Sequence, residues 1–193
     1  MADGFELLAG AHAYLLAAAK GVPADGWGSA TPCSEWTAGQ VFNHARLDQL
    51  ALIMKIVDVP PPGDPFAPEA AVGADPVADL EAVLKQAAAA WESGRSAQSV
   101  LTPMGPMPAE AGAAVAALDA AVHAWDIARG TGQDLPMDDG LAAGVAATTG
   151  HVITFVRDSF GKFAPEVPVA DGAGPAARLL AMAGRDPLWR PRA

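Results

Sequence analysis

Asp119 and His123 stand four residues apart in the stretch Asp119-Ala120-Ala121-Val122-His123-Ala124-Trp125-Asp126, a run without glycine or proline. On an α-helix this spacing puts two side chains one turn apart on the same face, so a carboxylate and an imidazole can converge on one point. A catalytic zinc or similar divalent ion typically takes three nitrogen or oxygen ligands from the protein and keeps a further position for water or substrate. The pair therefore lacks one donor, and His12, His44 and His151 are the remaining histidines that could supply it. Asp126, three residues beyond His123, shares the face and is placed either to orient a ligand or to cap a neighbouring backbone group.

The elements that must position these groups are all helical. Alanine dominates the apolar fraction, and β-branched and aromatic runs are sparse, which favours helices over sheets. Asp3 and Glu6 form a capping pattern for a first helix that stops at Gly21. Thr37 as N-cap with Gln40, and Trp36 packed on Val41, start a second helix that carries His44 one turn in, beside its apolar side. Residues 57 to 75 hold Pro60, Pro61, Pro62, Pro65 and Pro68, which neither a helix nor a central strand tolerates. They form a crossover loop long enough to let consecutive helices run in the same direction. Asp75 and Pro76 open a third helix that ends at Gly94. A Pro/Met/Gly segment, Thr102 to Pro108, leads to a fourth helix from about Ala109 to Arg129, ended by Gly130; a fifth follows from about Asp138 to Phe160, and a short one from Pro175 to Met182. The expected fold is all-α, a four-helix bundle with a long crossover loop and a short C-terminal helix, forming one domain over residues 1–193.

Composition narrows the partners. The net charge is −10 and no stretch gathers Lys or Arg into a stripe, so nucleic acid is not expected. No apolar run is long enough to span a membrane, and the start Met1-Ala2-Asp3-Gly4-Phe5-Glu6 is acidic where a signal peptide needs base, so a cytoplasmic location is expected. The single cysteine, Cys33, excludes an internal disulfide and a multi-thiolate zinc site; it is read as a packing residue. His12 is read as a helix-interface histidine with one hydrogen bond, and His151 as structural or exposed.

Two readings of the polar set stand on spacing alone. In one, His44 from the second helix joins Asp119 and His123 from the fourth around a metal ion, the way bundles build such sites. In the other, Asp119 and His123 pair on the bundle surface and His44 is buried separately.

A wider pattern bears on that choice. Thr31-Pro32-Cys33-Ser34-Glu35-Trp36-Thr37 leading to Asn43-His44, then Asp119 through Ala128, Gly130-Thr131-Gly132, and the end Val167-Pro168-Val169 through Gly184-Arg185-Asp186-Pro187 cover nearly the whole chain. Together they resemble an actinobacterial metal-binding branch of the DinB/YfiT-like superfamily, in particular the N-terminal domain of mycothiol-dependent maleylpyruvate isomerase. The resemblance implies a DinB-like bundle holding a divalent metal through His44, Asp119 and His123: zinc first, nickel or another ion as alternatives. Where the isomerase pattern has Glu this chain has Asp119, one methylene shorter, so the helix must lie closer to the ion or a water must bridge. The resemblance further implies a metalloenzyme that brings a low-molecular-weight thiol such as mycothiol to a small electrophile in a transferase or isomerase reaction. Arg129 and Arg185 are the expected contacts for substrate anions. The alternative is a non-catalytic metal-binding or interaction module, and a bundle whose site has decayed is a third possibility. A homodimer is compatible with either of the first two.

Overall fold

The computed structural model describes residues 3–191. The first and last two residues, which the acidic N-terminal reading and the 1–193 domain span include, lie outside it. Six helices and one short hairpin follow in the order α1 (Gly4–Lys20), α2 (Ala38–Val57), α3 (Pro76–Ser93), β1 (Val100–Thr102), β2 (Gly105–Met107), α4 (Ala109–Gly130), α5 (Asp139–Phe160) and α6 (Pro175–Met182), with a single 3-10 turn at Gly26–Gly28. The all-α, DinB-like bundle expected from the sequence is the architecture observed.

The helix starts are where the capping residues put them. Asp3 accepts from the Phe5 amide, Thr37 and Gln40 form a reciprocal capping box, Asp75 caps Ala78, and Asp138 caps Leu141. Each side chain satisfies an amide that the first turn leaves without a helical partner.

Contacts between helix ends establish the directions. Gly4 lies against the Glu110 carbonyl, and at the other end Gln133 donates to the Ala18 carbonyl (2.9 Å), so α1 and α4 run the same way. Asp3 meets Arg95 and Lys20 meets Glu81, which sets α3 opposite to α1. Along α2, His44 faces Asp119 and His123 while Gln49 reaches back to Ala116, so α2 opposes α4. Consecutive helices α2 and α3 are therefore parallel. The segment from Asp58 to Asp75 makes this possible: α2 is about 30 Å long, and 18 extended residues can span roughly 60 Å.

α4 is the central helix, packed on α1, α2, α3 and α5. Its buried residues are largely small, including Ala113, Ala116, Ala117, Ala120, Ala121 and Ala124, which lets neighbouring backbones approach from several sides. Gly112 shows how close that approach is. A Cβ there would overlap the ring of Trp91, itself fully buried on α3.

The hairpin was not expected; the sequence reading has only a connection there. β1 pairs antiparallel with β2, Val100 opposite Met107 and Thr102 opposite Gly105, and Gly105 takes a left-handed φ of 103° at the turn. Strands of three residues are too short for alternation to show. Thr102 holds the turn, donating to the Gly105 carbonyl and accepting from the Met104 amide.

Candidate metal centre

The capping box sets the register of α2, and with it the direction of His44. Just upstream, Thr31 donates to the Cys33 and Trp36 carbonyls, and Ala30 bridges to Thr37, which fixes the entry into the helix. That entry segment packs on the end of α4 at Gly130, where any Cβ would meet the Ala30 carbonyl. His44 consequently faces α4 beside Asp119 and His123.

These three side chains meet at one point. Asp119 Oδ1 lies 3.5 Å from His44 Nε2 and 3.4 Å from His123 Nε2, and all three donor atoms fall within 4.8 Å of one another. Two donors each about 2.0–2.1 Å from a tetrahedral ion are separated by about 3.4 Å, which is the spacing of Asp119 Oδ1 from each imidazole nitrogen. The shorter acid reaches both imidazole nitrogens directly.

The rear atoms of the donors are also engaged. His44 Nδ1 is 2.7 Å from the Pro65 carbonyl, an acceptor only, so Nδ1 donates there and Nε2 is the nitrogen turned to the site. His123 Nδ1 is 3.0 Å from Asp126 Oδ2, which orders the second imidazole in the same way. Asp126 is fully buried and held by Arg185, with Nη2 donating to Oδ2 at 2.9 Å and Nε to both carboxylate oxygens. Asp119 uses its other oxygen to accept from Gln49 Nε2 at 3.3 Å. Gln49 also donates to the Ala116 carbonyl and is bonded through Oε1 to His12 Nε2 at 2.9 Å, which ties α1, α2 and α4 together at this level.

Ionisation follows from these contacts. Burial works against the His44 cation, but the hydrogen bond and charge of Asp119 more than offset it and raise its pKa. Burial dominates at His123 and lowers its pKa. For Asp119 burial favours the neutral acid, yet His123 and His44 outweigh it and the carboxyl stays below its ordinary value. Asp126 is lowered likewise, burial being overcome by Arg185 and His123. Half-buried Asp48, one turn after His44, is pushed up to about 7 by burial and by the charge of Asp119.

The walls on the α2 side are aromatic. Trp36 lies 4.6 Å and Phe66 5.9 Å from the His44 ring, centroid to centroid, and Lys162 stands 4.2 Å above Phe66.

Of the residues singled out from the sequence, His44, Asp119, His123 and Asp126 come together here. Arg185 is buried, and its guanidinium is bonded to Asp126 and the Ala183 carbonyl. Arg129 reaches Pro187 O at 3.4 Å and leaves its buried Nε without a protein partner. His12 is the expected interface histidine, His151 is exposed, and Cys33 packs on the core with its thiol pushed up to about 11 by burial. Gln49, Asp48, Asn43 and the Pro65 carbonyl escaped the sequence reading. A glutamine in the apolar stretch around Leu47 and Leu50 was the one available signal.

Comparison with known proteins gives the family. The family model described as the mycothiol maleylpyruvate isomerase N-terminal domain matches residues 8–128. Two uncharacterized proteins of Mycobacterium tuberculosis, one from strain H37Rv and one from strain CDC 1551, are each 34% identical over 181 residues, covering 91% of this chain and 92% of theirs. No solved structure matches the chain.

Proposed function

The chain belongs to the family of the mycothiol maleylpyruvate isomerase N-terminal domain, and on that premise we propose that it is a divalent-metal protein, zinc being the first choice, that brings a low-molecular-weight thiol of the mycothiol type to a small electrophile. A transferase or isomerase reaction is the corresponding chemistry. The observation that carries this reading is the convergence of two Nε2 atoms and one carboxylate oxygen, each on a side chain held from behind. Three nitrogen and oxygen donors are the protein share of a catalytic zinc site. A bound ion would supply Lewis acidity that lowers the pKa of a thiol or water at its remaining position.

His44, Asp119 and His123 are the ligands in this reading. Asp126, braced by Arg185, keeps His123 in the tautomer whose Nε2 is free. Asp48, one turn after His44 on α2, adds a second acid whose charge is felt by His44. Arg129 remains the cation for an anionic substrate group, whereas Arg185 serves through Asp126.

The test uses cobalt-loaded protein titrated with a small thiol. A new sulfur-to-metal charge-transfer band, lost in His44→Ala, is expected. Metal uptake without such a band at saturating thiol would support a closed, non-catalytic site instead.

A further inference from the structure

The crossover segment is bound to α2 in an unusual way: its carbonyls point at the helix. The prolines each lack an amide, so carbonyl oxygens outnumber N–H donors along this stretch. Four of them meet side chains from the first turns of α2. Asn43 Nδ2 donates to the Glu69 and Ala71 carbonyls, both at 2.9 Å, Gln40 Nε2 reaches Pro68 O at 3.5 Å, and His44 Nδ1 binds Pro65 O at 2.7 Å. Pro65 and Pro68 are buried, Asn43 is 6% exposed, and Gly39 is in close contact with the Ala70 carbonyl.

We infer that residues 65–71 form a strap that belongs to the metal site, with Asn43 as the positioning residue that holds the strap so that Pro65 can orient His44. This rests on the metal reading above. It adds a coupling that the ligand set alone does not require. Since the strap fixes the tautomer that presents Nε2, an ordered strap strengthens metal binding. By linkage, metal must then stabilise the strap to the same extent.

Phe66 reports on the strap directly, because it sits within it and is 52% exposed. Chymotrypsin cleavage after Phe66, identified by fragment mass, is followed with and without zinc in the wild type, Asn43→Ala and the milder Asn43→Ser, and helicity by circular dichroism checks folding. Zinc affinity is measured in parallel with a competing chelator. Zinc is expected to slow cleavage of the wild type. Asn43→Ala is expected to be cut about tenfold faster without metal, to bind zinc about tenfold more weakly, and to lose most of the protection by zinc. Asn43→Ser, which keeps one shorter donor, should shift both readouts in the same direction by less, and it carries the test if Asn43→Ala does not fold. Equal cleavage of metal-free wild type and variants overturns the strap. Faster cleavage with unchanged zinc affinity overturns the coupling. A wild type that binds no divalent ion overturns the metal reading and the coupling with it, while the metal-free cleavage rates still decide whether Asn43 holds the strap.

Discussion

Asp119 is the residue on which the site turns, because it touches both imidazoles and has its second oxygen held by Gln49. Its charge raises the pKa of His44, so below that raised value an ion must displace a proton to bind. Zinc affinity should therefore rise with pH from about 6 upward, by as much as tenfold per unit while one proton is displaced, and level off above the raised His44 value. Competition with a chromophoric chelator between pH 6 and 8.5 measures this, and a flat profile would show that no such proton is held. Asp126 gives a second pH prediction, on folding stability rather than on affinity. Its folded pKa is depressed, so its stabilising contribution is present in full above the unfolded value near 4 and is lost as pH falls through the folded one. Asp126→Asn leaves the buried Arg185 charge without its partner and should cost about 3–5 kcal/mol at pH 7. In urea unfolding the gap from the wild type should narrow below about pH 4.

At the scale of elements, α4 explains why so short an acid suffices. Its alanines let α2 come close enough for Asp119 Oδ1 to stand within 3.5 Å of both imidazoles. The same closeness makes α4 intolerant of added volume. Gly112→Ala gains helix propensity of about 1 kcal/mol, but the new methyl overlaps the fully buried Trp91 ring. Overpacking should win, with net destabilisation of about 1–3 kcal/mol and a lower Tm by calorimetry. Much of this scaffold was legible in the sequence, since helix ends are local events: Asp3, Thr37 with Gln40, Asp75 with Pro76, and Asp138 each act within one turn. The Asp119–His123 pair was legible for the same reason. Gln49 and Asn43 were not, because their partners lie about 70 and 28 residues away and an amide side chain announces no particular acceptor. The Pro65 carbonyl carries no side-chain signature at all. The pairing of Arg185 with Asp126, 59 residues apart, was not legible either, because it depends on how the C-terminal segment folds back on α4.

For the whole molecule, the parallel pair α2 and α3 demands a long connection, and the fold uses that connection twice: it spans the bundle and supplies the carbonyl behind His44. No described helix is long and apolar enough to cross a membrane. The charge of −10 favours cations at acid-lined sites and disfavours phosphate backbones. The central claim is that His44, Asp119 and His123 together bind one divalent ion, and calorimetric titration of metal-free protein with zinc, for the wild type and for Asp119→Ala, tests it most directly. One ion per chain in the wild type, with affinity lower by at least a hundredfold in the variant at unchanged helicity, is the result expected. Equal affinity and stoichiometry in the two proteins would contradict it.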